Sequence, residues 1–174
     1  MERDKIIWES MTRRSMELQE MIEYLQWADN LVFDRIEELD DTLVETIFYK
    51  NGGSIRDRLQ HLAEEYLAWY YDILGKKYTD EIKKFSSSTK NELIESIRQY
   101  HEKWLEYLKS PQKSKFEIDE GDDLNVKISL DEVIYNLTNH ATYHRGQINT
   151  LLRMAGHEVP MVDYYWYKIH QLRS

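Results

Sequence analysis

Four stretches of this chain place apolar residues at steps of three and four, the spacing that gives a helix one continuous apolar side. The first stripe is Leu18, Met21, Ile22, Leu25, Ala28, Val32, Ile36 and Leu39, which assigns the intervening Glu and Asp residues to the far side. Ile55, Leu59, Leu62, Tyr66, Trp69 and Ile73 form the second stripe, and Leu93, Ile97, Tyr100, Trp104 and Leu108 the third. Val133, Leu137, His140, His144, Ile148 and Leu151 form the fourth. With 6 Gly and 2 Pro in 174 residues, long helices meet few breakers.

End signals bound these stretches. Ser54 is an N-cap with Asp57 three residues later, and Gly75 is a C-cap. Ser110-Pro111 closes the third helix, which begins at about Thr89. Ser129 caps the fourth, with Glu132 at the capping-box position, and Gly156 stops it after Ala155. Between the third and fourth helices, Lys115-Phe116-Glu117-Ile118 and Leu124-Asn125-Val126-Lys127-Ile128 alternate with period two around Asp119-Glu120-Gly121-Asp122-Asp123, a β-hairpin pattern. The segment from Asp41 to Gly53 reads as a connection, with one extended piece around Ile47-Phe48-Tyr49 and a turn at Asn51-Gly52-Gly53. Lys76 to Ser88 reads as a polar connection, and Asp163 to Leu172 as a short closing helix. Residues 1–15 are either a short helix packed through Ile6, Ile7, Trp8 and Met11 or a loosely packed leader. The expected architecture is all-α: one domain over 1–174, a four-helix bundle with a hairpin insertion between helices 3 and 4 and a short C-terminal helix.

Composition narrows the function. A net charge of -9, with no basic patch, argues against a nucleic-acid partner. No apolar run approaches the ~20 residues of a membrane span, and the N-terminus lacks the apolar core of a signal peptide, so a cytoplasmic location is the default. Cysteine is missing, which excludes disulfides, thiolate ligands and a cysteine nucleophile.

The fourth stripe contains the chemistry. His140 and His144 lie four residues apart, so both imidazoles leave one side of the helix, and that side is apolar. Buried imidazoles are costly unless paired, and a divalent ion is one partner that would satisfy both. A third ligand has to come from another helix. Spacing leaves His61 and His101 open, with Glu64 and Glu65 as weaker options. His61 falls just beyond the edge of its stripe, and His101, beside Tyr100 and Trp104, reads as a core or surface histidine. His157 and His170 read as solvated, and the aromatics Tyr143 and Tyr164 to Tyr167 as core or as the wall of a pocket.

Three stretches resemble the DinB/YfiT-like superfamily of metal-dependent bundle enzymes. They are Gln26-Trp27-Ala28-Asp29-Asn30-Leu31-Val32, Gly53 to Leu62, and Asn139-His140-Ala141-Thr142-Tyr143-His144-Arg145-Gly146-Gln147-Ile148 with the Gly156, Pro160 and Asp163 that follow. The resemblance implies a three-histidine site of His61, His140 and His144, with a coordination position open to solvent. The site would accept Zn, Ni, Fe, Mn or Co, and it should lie near an end or mouth of the bundle. Glu65, one turn beyond His61, is the candidate catalytic residue, as a proton acceptor or as a support for an imidazole. Arg145 and Gln147 read as structural, Arg145 through an ion pair or helix packing.

The resemblance further implies transfer of a low-molecular-weight thiol, of the bacillithiol or mycothiol kind, to an electrophilic small molecule. The alternatives are a metal-dependent hydrolase and a non-catalytic, stress-related metal- or ligand-binding bundle. A homodimer through an apolar face of the first helix or the leader is a further expectation.

Overall fold

The structure, a computed structural model, describes residues 2–50, 52–119 and 125–173, with side chains from residue 17 onward except that of residue 119. Its long helices are α1 (Glu2–Glu37), α3 (Ile55–Leu74), α5 (Lys90–Lys109) and α6 (Leu130–Met154). Each of the last three begins at a reciprocal cap. Ser54 and Asp57, Thr89 and Glu92, and Ser129 and Glu132 exchange side-chain and backbone hydrogen bonds, which satisfies N–H groups that the first turn leaves orphaned. Gly75 ends α3 in the left-handed conformation, at φ 63°.

The apolar stripes meet in one core. Ile22, Leu25, Ile55, Leu59, Leu93, Ile97, Trp104, Val133 and Ile148 are all buried in it. In cross-section α1 packs against α5 and α6, and α3 packs against the same two. Consecutive long helices α1 and α3 therefore lie across one diagonal, and α5 and α6 across the other. Such an order needs long connections, and the chain supplies them: 38–54 links α1 to α3, and 110–129 links α5 to α6. The second connection holds the hairpin of β1 (Lys115–Asp119) and β2 (Asn125–Ser129), antiparallel with Phe116 opposite Ile128 and Ile118 opposite Val126. The hairpin turn expected around 120–123, and the start of the second strand at Leu124, lie outside the described residues, as does Asn51.

Four expectations need correction. The first helix starts at Glu2 and takes in the residues read as a separate short helix or a leader; the packing expected of Ile6, Ile7, Trp8 and Met11 falls on side chains outside those described. The extended piece at 47–49 forms no strand. Instead the connection opens with the short helix α2 (Asp41–Val44), capped by Asp40, whose carboxylate accepts from the Leu43 N–H. The polar connection after α3 contains α4 (Thr79–Lys84) and a 3-10 turn over Phe85–Ser87, with Phe85 buried as its anchor. Finally, the closing helix α7 (Tyr164–Arg173) buries Tyr167 alone of its four leading aromatics; Tyr164, Tyr165 and Trp166 are exposed. Tyr167 packs with Tyr24, Trp27 and Ala28 of α1, and Lys168 reaches Glu20.

The acids of α1 are not all on its far side. Asp29 is fully buried between Leu25 and Val32. Its Oδ1 accepts from Arg145 at 2.8 Å, and its Oδ2 from the Tyr66 hydroxyl at 2.9 Å, with His101 Nε2 3.0 Å away. Arg145 also donates to Tyr24 and Thr142. One buried polar cluster thus ties α1, α3, α5 and α6 together at the centre of the bundle. A buried ion pair needs this many hydrogen bonds, because each ion gives up several kcal/mol of hydration. No helix of the described residues is long and apolar enough to cross a membrane.

Candidate metal centre

Helices α3 and α6 are neighbours, and their facing sides bring His61, His140 and His144 together. His61 leaves the second helical turn of α3; His140 and His144 leave successive turns of α6. One nitrogen from each ring lies within 4.8 Å of the others, and among the described residues this is the one group of three or more His, Asp and Glu side chains so arranged. His61 Nε2 and His140 Nε2 are 3.2 Å apart. Two nitrogens bound tetrahedrally at ~2.0–2.1 Å to one ion stand about 3.4 Å apart, so the spacing fits a shared cation. The ring centroids are 5.2 Å (61 to 140), 4.6 Å (61 to 144) and 4.4 Å (140 to 144) apart.

Protonation suits the same role. Burial pushes the His144 pKa down to about 4, aided by the charges of His140, His61 and Arg58 and opposed by a hydrogen bond with Gln147. Burial also lowers His140, against the pull of Glu65. Both rings are therefore neutral at pH 7, the form that ligates a metal. His144 Nδ1 donates to Gln147 Oε1 at 2.9 Å, which leaves Nε2 as a bare lone pair. The sequence presents Gln147 as merely structural; its position three residues after His144 on a helix is the signal that the two side chains meet.

The site is reachable. His61 is half-buried, and the side chains of His140 and Glu65 are each 30% exposed. His144 lies deeper, at 4%. Glu65 Oε2 stands 3.9 Å from His140 Nε2, on the flank of the triad that faces solvent. Tyr143 is exposed and meets the His144 ring edge to face at 4.9 Å. His101 is fully buried in the Asp29 cluster, away from the triad. His157 and His170 are exposed, the latter against Trp27. Arg145 is the ion-pairing residue that its motif suggested, and its partner is Asp29.

A sequence model of the DinB family matches residues 11–172. The chain belongs to the DinB family. Within that family, protein DinB of Bacillus subtilis (strain 168) is 26% identical over 156 residues, spanning 84% of this chain and 91% of its own length. Among solved structures, YfiT from Bacillus subtilis superposes with a TM-score of 0.61 at 18% identity, over 81% of this chain and 89% of that one. YfiT is described as a probable metal-dependent hydrolase with an unusual four-helix bundle topology. The likeness to YfiT establishes the fold: a DinB-type bundle whose first and second long helices are not packed side by side.

Proposed function

We propose that this DinB-family chain is a metal-dependent hydrolase of small molecules, with His61, His140 and His144 holding one divalent ion. The observation that carries the reading is the convergence of three imidazoles between α3 and α6, with a carboxylate beside them. When bound, such an ion supplies Lewis acidity and lowers the pKa of whatever occupies its open position. His61 and His140 would hold it from the two helices, and His144 would be fixed in orientation by Gln147. Glu65 would accept the proton released during attack; it is near enough to reach the open side of the triad and exposed enough to pass the proton on.

Thiol transfer would use the same three imidazoles. Glu65 favours hydrolysis over it: a thiol has a pKa of about 8.5 and needs little help from a base once beside a cation, whereas water needs a good deal. The likeness to YfiT adds a hydrolase precedent on this fold. Three imidazoles accept Zn, Ni, Fe, Mn or Co, and availability selects among them.

Protein purified without an affinity tag should carry close to one equivalent of divalent metal, and His61→Ala, His140→Ala or His144→Ala should abolish it. Metal binding that survives all three substitutions would overturn the site. Ester, amide and phosphoester panels run beside a thiol-consumption assay with a generic electrophile then separate the chemistries. Thiol consumption without hydrolysis would replace the hydrolase reading, and metal binding with neither activity would leave a binding protein.

A further inference from the structure

Arg58 stands one turn before His61 on α3, so the two side chains share a side of that helix. Its Nη2 donates to the Gly52 carbonyl. The side chain is half-buried, and its Nε is shielded from solvent with no hydrogen-bond partner among the described residues. Arg56, Arg98 and Arg145 each meet a carboxylate, of Glu45, Glu37 and Asp29 respectively. No acidic side chain among the described residues pairs with Arg58, although the chain carries 32 Asp and Glu. A half-buried guanidinium without a counter-ion is a costly thing to retain.

A Cβ placed on Gly53, whose φ is +69°, would stand 3.3 Å from Asp57 Oδ2, 3.4 Å from Arg58 Nη2 and 3.6 Å from its Cζ; that Asp57 oxygen is taken by the Ser54 N–H and forms no ion pair with Arg58. Along α3, Arg58 stands one turn before His61 and Glu65 one turn after it, the latter 3.9 Å from His140, so a cation and a carboxylate flank the ligand that α3 would give the triad.

We propose that Arg58 holds an oxyanion of the substrate, so that the site takes small molecules bearing a carboxylate or phosphate group close to the bond that reacts. The inference rests on the metal-dependent reading above and adds the substrate class to it. A guanidinium matches a planar oxyanion through paired N–H donors, and no acid among the described residues pairs with those of Arg58. With its anionic group against Arg58, a substrate would lie across the triad with its reacting group toward Glu65. Uncharged isosteres lose that anchor and have no preferred direction.

The test uses full-length protein loaded with Co2+, read by visible absorption and by calorimetry, with acetate and sulfate as anion probes and acetamide as the uncharged control. The parent should bind both anions and discriminate against acetamide. Arg58→Gln should bind them about 10–100-fold more weakly, the loss expected for a charged hydrogen-bonded contact. Its Co2+ affinity should stay the same or rise slightly, since a nearby positive charge is gone. Equal anion affinity in parent and Arg58→Gln, both holding Co2+, would overturn the proposal. If Arg58→Gln fails to fold, Arg58→Lys decides: a point charge without the fork should weaken acetate about fivefold, by the same reasoning, and unchanged affinity would overturn the role. A parent that takes up no Co2+ instead overturns the metal reading, a failure that is distinguishable from a metal-loaded protein indifferent to residue 58.

Discussion

The Nδ1 of His144 lies 2.9 Å from the Oε1 of Gln147, one turn further along α6. That bond fixes both the tautomer and the rotation of the deepest ring of the triad, so Nε2 points at the shared position without loss of side-chain freedom on binding. Replacing the amide removes the acceptor and leaves the ring free to turn. Gln147→Leu should therefore weaken metal affinity by about 10–100-fold while the helical circular dichroism of the protein stays the same. Competition titration against a chromophoric chelator measures it. Unchanged affinity would mean that packing alone orients His144.

The buried cluster around Asp29 makes a prediction about acid. Burial pushes the Asp29 carboxyl up, but the charge of Arg145 and the hydrogen bonds from His101 and Arg145 outweigh it, so the folded-state pKa lies below the ordinary value. Arg145 is correspondingly raised by Asp29 despite its own burial. An unfolded Asp titrates near 3.9, so the unfolded chain takes up the proton first as pH falls. The contribution of Asp29 is complete above about pH 4 and is lost as the pH drops through the folded value. Asp29→Asn should cost about 3–5 kcal/mol at pH 7, because it strands the Arg145 charge inside the bundle. The gap between parent and variant should narrow below pH ~4. Urea unfolding at several pH values tests both statements, and a pH-independent gap would contradict the second.

The two centres differ in how plainly the chain announces them. The long helices are legible because their caps are local: Ser54 with Asp57, Thr89 with Glu92 and Ser129 with Glu132 are each three residues apart. The pairing of His140 with His144 is legible for the same reason. Asp29 is not, because a carboxylate reads as solvated until its partner is known, and Arg145 is 116 residues away. Leu25 four residues before it and Val32 three after do place Asp29 on the apolar stripe, so the position was signalled and the residue type argued against it. His61 is at the edge of its stripe, and a periodicity argument cannot tell a mouth from a surface. The packing order was hidden too: nothing in a helical period says that α1 and α3 lie across a diagonal, and that order is what sets α3 beside α6 and so His61 beside His140.

Glu65 separates chemistry from binding. It takes part in no helix cap, and its Oε2 stands 3.9 Å from His140 Nε2. Glu65→Gln keeps the shape and removes the base, so turnover of the hydrolytic substrate should fall by about 10²–10⁴-fold. KM and metal content should change little. A variant that loses metal in proportion to activity would instead make Glu65 a support for the His140 ring, and one that keeps full activity would remove it from the mechanism.

Metal should raise stability without being required for folding. The core of Ile22, Leu59, Ile97, Trp104 and Ile148 and the Asp29–Arg145 pair make contacts in which the three imidazoles take no part, so the bundle is held together whether or not they share an ion. A ligand that binds only the folded state adds about 2.7 kcal/mol when present at a hundred times its dissociation constant. For a chain of this length that corresponds to a rise of roughly 5–10 °C in Tm, at about 2–4 °C per kcal/mol. Chelator-treated protein should accordingly keep its helical signal at 25 °C and melt lower by that amount. The difference should vanish in His140→Ala. Loss of helical structure on chelation would make the ion a structural element, and an unchanged Tm with saturating metal would argue that the three imidazoles do not bind it in the folded state.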